Sequence, residues 1–593
     1  MNDYEVLRVI EFLEQTREPF RKGMPAVDDE PIWNITTFLI KSEIRGQVVT
    51  VSTLASVTGI PYATSMRLIS KLVETGTIVR VPRGKGGKSH ALQPGPAMRD
   101  AFRSYARGIK ALLARTVGLR GLGEDEEQYY FGGTPLGAQP LPPVRLIERR
   151  ASESLGIRFL LNDDNYFSSM RNMWVDLRSN LASGRDFSLR RLPDLYAEVL
   201  ANAERPVSEY DVITVNMPWL GELAERGLLK PLDGLVASDV LDVSDFHPVI
   251  RSTAEWRQRI YGIPIYCTIG ILAARKDLFE DRNIGFPKTF DDVIEAGKRF
   301  HQPDQGMFGA VWDGALGMPI ASSFLFFLGA CGTPPISLNP GPYGFTSEGM
   351  DLAQLVPLID SDAGRATLDF MQRLLDISPP NALGLAWDQN LALFLSGNAA
   401  MAYCWTMRAS RMEYDIQSVV KRKVEYLPQP AGPSGGRASP IGGFVFAIPA
   451  NLPEERVEIA AEAIAWMTSK DSMRAHVRNG FPIAPRFSTS ADPEAAAGSP
   501  IVRFVDSLAK RNLLTTWQRP NIPAYTQMER VLSAEVHAAL SGSKSHQAAL
   551  SAANAAIERI LAASPSPKDR RQEGLDGGGA LRSPTCPLSA DVS

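Results

Sequence analysis

The sequence predicts a multidomain protein, with a small α+β unit followed by a large α/β region and a low-complexity tail. Three observations carry this. A chain of 593 residues is longer than one hydrophobic core usually organises. Charge is unevenly spread: residues 44–120 hold 13 Lys and Arg against 2 Asp and Glu, a balance of +11 in a chain of net −3, which leaves the rest at −14. From about residue 156, short apolar runs alternate with helical patterns, the texture of a parallel sheet covered on both faces. A hydrophobic content of 44% with 22% charged residues excludes collagen, coiled-coil and wholly disordered classes.

The first unit reads element by element. PIWNITTFLIK, from Pro31, is a helix with Ile32, Ile35, Leu39 and Ile40 on one side. STLASVT, from Ser52, is a short helix with Ser52 as its expected cap. Gly59 supplies a left-handed exit, and Pro61 opens the next helix, PYATSMRLISKLVETG. Leu68, Ile69, Leu72 and Val73 form its apolar stripe, while Tyr62, Thr64, Ser65, Arg67 and Lys71 fall largely elsewhere. Gly76 ends it. TIVRVP and SHAL then read as two strands joined by the basic tip RGKGGK. A further amphipathic helix over 94–117 places Met98, Phe102, Tyr105, Ile109, Leu112 and Leu113 on one stripe.

This order resembles the MarR- and IclR-type winged-helix regulators over about residues 30–117, in TLASVTGIPYATSMRLISKLVETGTIVRVPRGKGGKSHAL. The resemblance implies duplex DNA as a partner. It places Tyr62, Thr64, Ser65 and Arg67 at base edges with Lys71 on the same helix, and Arg83, Lys85 and Lys88 on the phosphate backbone. Such regulators often dimerise through flanking helices, so a homodimer is expected, built on the 94–117 stripe or on a helix from Tyr4 to Glu14. The expected domains are 1–117, a Gly/Pro-rich linker at 118–153, a ligand-binding region at 154–563 and a disordered tail at 564–593.

In the second region, strands are expected at 157–161, 188–192 and 210–216, with helices at 167–183 and from Asp194. Ligands of open α/β sheets lie beyond the carboxyl ends of strands. That singles out Asn162 to Tyr166 and Asn216 to Trp219.

Six segments in order resemble the family 1, sugar-type solute-binding proteins of bacterial ABC importers. Among them are YDVITVNMPWLGELAERGLLKPLDGLV, YGIPIYCTIGILAARKDLFE, PKTFDDVIEAGKRF and WDQNLALFLSGNAAMAYCWTMRAS. The resemblance covers about residues 156–563. It implies a type II periplasmic-binding-protein-like fold, two α/β lobes joined by a hinge and closing on a solute. The ligand-binding residues expected from it are Asn165, Trp219, Tyr266, Trp312, Asp313, Trp405, Arg408, Gly443 and Phe444. The aromatic rings would stack on sugar C–H faces, the polar groups would bond hydroxyls, and the glycine would let backbone approach. Trp466 and Trp174 sit on helical patterns and read as core.

No catalytic constellation is expected, hence no enzyme. GPSGG at Gly432 matches GxSxG only formally, lying in a loop with no following helix. The tip from Arg83 to Ser89 lacks the first glycine of a phosphate loop, Pro82 standing in its place. Four scattered cysteines and six histidines give no disulfide framework and no metal site, and no cofactor is implied. The uncharged run from Gly314 to Ser347 is interrupted by Pro319 and glycines. It reads as a buried helix rather than a membrane span. With no secretory signal in MNDYEVLRVIEFLEQTREPF, the expected location is cytoplasmic and no membrane insertion is foreseen. Together these readings point to a cytoplasmic transcription regulator that senses a sugar or polyol. The alternative is the solute-binding component of an ABC sugar importer, which would be periplasmic.

Overall fold

The computed structural model describes residues 30–44, 48–82, 90–116, 156–162, 188–414, 418–478, 485–491 and 500–564. The Tyr4–Glu14 helix, the basic tip, the 118–153 linker, the 167–183 helix and the tail beyond 564 lie outside these. The chain divides into two compact units, Met1–Phe131 and Gly132–Ser593.

In the first unit, α1 (Glu30–Ile44), α2 (Val51–Ser56) and α3 (Tyr62–Glu74) precede strands β1 (Ile78–Pro82) and β2 (His90–Pro94), with α4 (Pro96–Thr116) closing it. β1 and β2 pair antiparallel. Ile35, Leu39, Leu54, Ile69, Ile78, Leu92 and Met98 meet in one small core. Gly59 and Gly76 take φ of +77° and +71°, so each reverses the chain where a side chain would be strained. The cap of α2 is Thr50, not Ser52. Thr50 Oγ1 accepts from the Thr53 amide at 3.1 Å, because the helix starts one residue earlier than the sequence suggests. Phe102 and Tyr105 on α4 pack around Trp33, at 6.5 and 5.6 Å between ring centroids, and Met98 is core. The N-terminal half of the stripe expected to dimerise is therefore spent within its own unit.

Among the described residues the second unit is organised by one mixed sheet of nine strands. Its parallel edge is β4 (Ser188–Arg190), β3 (Phe159–Asn162) and β5 (Val212–Asn216). Two two-residue strands, β6 (Glu255–Trp256) and β7 (Arg259–Ile260), form a separate hairpin ahead of β8 (Ile263–Arg275). Then come β9 (Phe308–Val311) in the sheet, the small hairpin β10 (Asn339–Gly341) and β11 (Gly344–Thr346), and, again in the sheet, β12 (Ala399–Trp405), β13 (Val424–Leu427), β14 (Ser439–Ala447) and β15 (Leu514–Thr515). The order is β4-β3-β5-β14-β8-β12-β9, with β13 on β8 and β15 on β14. The sheet is parallel at both ends, as expected. It is antiparallel at its centre, because β8 and β14 carry the chain back between halves.

β8 makes the architecture two-lobed. Residues from Ile263 to Ile269 pair with β14, while those from Gly270 to Arg275 pair with β12 and β13. All thirteen residues are buried, which explains the near-continuous apolar run IPIYCTIGILAAR. On either side of this crossover lies a separate core. One gathers Leu160, Val215, Ile265, Phe446 and Ile464, and the other gathers Phe300, Phe324, Met371, Met401 and Leu532. The uncharged run forms the helix Met318–Ala330, buried from Pro319 to Ala330. Among the described residues no helix is long and apolar enough to cross a membrane.

Candidate functional site

Two parallel strands of the second lobe, β9 and β12, end side by side. Trp312 and Asp313 follow the first, and Trp405, Thr406, Met407 and Arg408 end or follow the second. In the first lobe β5 ends into Met217, Pro218 and Trp219, beside Phe444 of β14, which pairs with Asn216. The carboxyl ends of strands from both lobes thus converge on the crossover, where an α/β sheet holds its ligands.

Between the two cores lies an open cavity of about 540 Å³. Met217 and Ile441 of the first core and Leu338, Phe345 and Trp517 of the second line it, together with Pro218, Arg519 and Trp256, which packs against both cores. Hydrogen bonds cross its rim: Gln258 Nε2 donates to Glu348 Oε1 at 2.9 Å, and Asn521 Nδ2 donates to the Glu255 carbonyl at 3.1 Å. Arg519 is 7% exposed and its guanidinium lies 5.2 Å from the Trp405 ring and 5.8 Å from Phe326. Tyr525 hydrogen-bonds it, yet its Nε has no partner among the described residues, nor does the Trp517 indole nitrogen. Leaving such donors unpaired inside a protein costs about 1–3 kcal/mol each.

Asp313, Trp387, Asn390, Cys404 and Arg408, the last of them three residues beyond Trp405, line a crevice too narrow to hold a water molecule. Asn390 Nδ2 donates to Asp313 Oδ1 at 3.0 Å and to the Trp312 carbonyl at 2.7 Å. Arg408 reaches Asp388 Oδ1 at 3.5 Å, and its Nε is unpartnered among the described residues. Burial pushes the Asp313 carboxyl up to about 6, with Arg408 pulling the other way and Asp388 adding to the rise. The folded value lies above the unfolded one of about 3.9, so the folded chain holds this proton more tightly. Asp313 alone therefore removes stability as pH climbs from about 4 through 6. An Asp313→Asn variant should gain thermal stability relative to the parent over that interval and hold the gain above it. A constant difference between pH 4 and pH 8 would contradict this.

The sequence-derived residues are sorted by these positions. Asp313 and Arg408 line the same narrow crevice. Trp405 packs against Arg519, which itself lines the cavity. Gly442, before Gly443, approaches both: a Cβ there would sit 2.6 Å from Arg519 and 2.8 Å from Trp405. Gly443 has φ +135° at a bulge where β14 shifts register against β8, and a side chain there would strike the Tyr266 carbonyl.

Four expected aromatics are packing residues instead. Trp219 is 3% exposed and lies 5.0 Å from Tyr196 in the first core. Tyr266 and Phe444 stack on each other at 5.5 Å inside it. Trp312 is fully buried in the second core, its indole donating to Ser378 at 3.1 Å. Tyr266 and Phe444 lie within β8 and β14, and Trp219 and Trp312 follow the ends of β5 and β9 into the two cores, so all four rings meet protein first. Trp219→Ala should accordingly cost about 3–5 kcal/mol of stability in denaturant unfolding. A loss below about 1 kcal/mol would mean the ring faces solute instead. Asn165 lies outside the described residues.

Ser65 in the first unit also departs from expectation. It is buried, its hydroxyl 2.7 Å from Thr58 Oγ1 and donating to the Ile60 carbonyl at 3.1 Å, so it braces the turn between α2 and α3 rather than facing a base. Tyr62, Thr64, Arg67 and Lys71 are exposed. Arg83, Lys85 and Lys88 lie outside the described residues.

The cavity residues missed by sequence were Trp256, Phe345, Trp517 and Arg519. A signal existed in TWQRPNIP, where Pro520 and Pro523 mark a loop that delivers side chains without a helix.

Comparison with known proteins agrees with this geometry. The model of the bacterial extracellular solute-binding protein family matches residues 194–474. The mannitol-binding protein of Pseudomonas aeruginosa is 27% identical over 379 residues, 61% of this chain and 82% of that protein. An Agrobacterium radiobacter solute-binding protein in complex with ribitol superposes with a TM-score of 0.62 at 22% identity, over 68% of this chain and 98% of its own. One from Agrobacterium vitis with bound D-mannitol gives 0.60 at 23%, over 70% and 99%. At these identities the two structures establish the two-lobed fold.

These matches correct the functional expectation. They point to a sugar- or polyol-binding solute-binding protein, so the reading as a transcription regulator is overturned in favour of its alternative. The cytoplasmic location expected with that reading has no support, the matching family being extracellular by description. Nor do these comparisons supply a counterpart for a DNA-binding first unit. The relatives named are binding proteins rather than enzymes. Residues 194–474 are similar to the bacterial extracellular solute-binding protein family.

Proposed function

We propose that this protein is the solute-binding component of an ABC importer, acting outside the cytoplasm and capturing a sugar or polyol between its two lobes. The observation that carries this reading is the cavity of about 540 Å³ walled by both cores at the crossover of β8. A ligand there touches both lobes at once, so binding favours the closed arrangement. Arg519 and Trp517 are the proposed contacts at the cavity, with Trp405 packed against Arg519. The binding of mannitol by one relative and the presence of ribitol or mannitol in two neighbours support the solute class. Thermal unfolding with mannitol, ribitol, glucose, maltose and maltotriose tests it. A bound solute at 100-fold its Kd adds about 2.7 kcal/mol to stability, which shows as a saturable rise in Tm. No rise with any of these would count against the proposal.

A second reading concerns the first unit and is favoured by one exposed face of α3. Tyr62 is 62% exposed there, beside exposed Thr64, Arg67 and Lys71, within the +11 segment. Such a face on a winged-helix-like order of elements suits the major groove of duplex DNA. A regulatory role is no part of this proposal. Binding of a DNA duplex to the whole chain should fall steeply between 50 and 200 mM salt and weaken in Arg67→Ala with Lys71→Ala. Salt-independent or absent binding would sink it.

A further inference from the structure

We infer that Gln258 and Glu348 are positioning residues for solute retention: the β6–β7 hairpin and the turn after β11 meet across the mouth of the cavity and clasp it behind a bound solute. This inference rests on the solute-binding reading and adds to it a bond between two protein groups. The cavity lining runs from buried residues, Met217, Pro218 and Ile441, to exposed ones, Arg257, Gln258 and Glu348. The exposed end is the mouth, and there Gln258 Nε2 donates to Glu348 Oε1 at 2.9 Å.

The first hairpin is built to present Gln258. Trp256, in β6, packs against both cores and its indole donates to Glu225 at 2.8 Å, which fixes the hairpin's root. Pairing of Trp256 with Arg259 leaves a two-residue turn, Arg257 and Gln258. Both hold positive φ, +49° and +60°. Such a turn ordinarily takes Asn or Asp followed by Gly, because longer side chains are strained in the left-handed region. Here the two side chains leave the turn for partners: Arg257 donates to Glu225 at 3.0 Å, and Gln258 crosses to Glu348. Strain kept where glycine would serve the backbone better marks a side chain with a task beyond folding.

Opposite, Glu348 is set by its own turn. Its amide donates to Thr346 Oγ1 at 3.1 Å, and the Met350 amide donates to the Ser347 carbonyl at 3.3 Å. The β10–β11 hairpin ahead of it is seated by Phe345, which meets Trp517 edge-on at 5.0 Å. A bond between two exposed groups adds little to folding, yet it must break before the mouth opens. It closes after solute has entered, so it slows release and leaves association almost unchanged.

Stopped-flow fluorescence of the full chain with mannitol, ribitol, glucose, maltose and maltotriose measures association and release, and thermal unfolding without solute measures stability. Gln258→Gly removes the bond and relieves the turn. It should speed release of the tightest-binding solute by roughly two- to ten-fold, the worth of one exposed hydrogen bond, while Tm stays level or rises. Gln258→Glu faces Glu348 with a like charge and should release at least as fast. Combining Gln258→Glu with Glu348→Gln restores the bond in the opposite direction, and release should return to within about two-fold of the parent. Unchanged release in Gln258→Gly, or no recovery in the exchanged pair, overturns the inference while leaving solute binding standing. A lower Tm in Gln258→Gly also overturns it, because the side chain then serves the fold. Binding of none of the five by the parent overturns the solute-binding reading and this inference with it.

Discussion

Replacing Arg519 by Ala is expected to weaken solute binding by about 10- to 150-fold. That range corresponds to one charged hydrogen bond of about 1.5–3 kcal/mol. Arg519 is the residue through which the cavity and Trp405 are joined. Its guanidinium packs against the Trp405 and Phe326 rings, and its Nε lacks a partner among the described residues. The substitution also withdraws a positive charge from Glu529, whose carboxyl is raised first by burial and which takes a 2.7 Å hydrogen bond from Tyr525. A modest fall in stability should accompany the lost affinity. Arg519→Lys keeps the charge but not the planar stacking, and should recover only part of the binding. Calorimetry on both variants with the tightest solute checks this. A change of less than about three-fold in the Ala variant would show that the guanidinium turns away from the ligand.

Asp211→Ala should destabilise the second unit by about 3–5 kcal/mol, the cost of removing one partner from a buried charge cluster. The Asp211 side chain is 1% exposed at the head of β5. Arg456 grips it at 2.5 and 2.7 Å, and Arg158 at 2.8 and 3.1 Å, with the Arg158 amide adding a third donor set at 2.8 Å. Burial by itself would raise this carboxyl, but the two guanidiniums override it and hold it below the usual range. A folded pKa below the unfolded one gives stability that is complete above about pH 4 and is lost as pH falls through the lower folded value. Asp211 and Asp313 thus act with opposite sign along the pH axis. The parent should lose stability on acidification, and Asp211→Ala should lose less of it. Denaturant unfolding at pH 7 and pH 3 measures both effects. Equal losses in the two proteins would contradict the assignment.

The large elements were legible because burial writes itself into composition. IPIYCTIGILAAR is apolar almost throughout, as a strand covered on both faces requires, but its reading as the link between two lobes came from the family resemblance. FDDVIEAGKRF carries its own capping box, Thr289 and Asp292, and its buried face follows the helical period. The site was less legible. Trp219, Trp312 and Trp405 do end or follow strands, whereas Tyr266 lies within β8, and a strand end says nothing of what lies over it. Trp405 emerges beside Arg519, whereas Trp219, Tyr266 and Trp312 are roofed by neighbouring elements. Trp256 and Phe345 sit on short hairpins, and Trp517 and Arg519 on a loop between two prolines. None has a periodicity to announce it, and they come together only through pairings and loop paths that span more than 250 residues. Ser65 shows the same limit at small scale, its position in the first turn of α3 being set by a bond to Thr58 seven residues earlier.

The most direct measurement is the crystal structure of the whole protein with the tightest solute of the panel at saturation. The account predicts electron density for that solute between Met217 and Ile441 on one side and Trp517 and Arg519 on the other. Density for the solute elsewhere on the chain, with this cavity filled only by water, would contradict it.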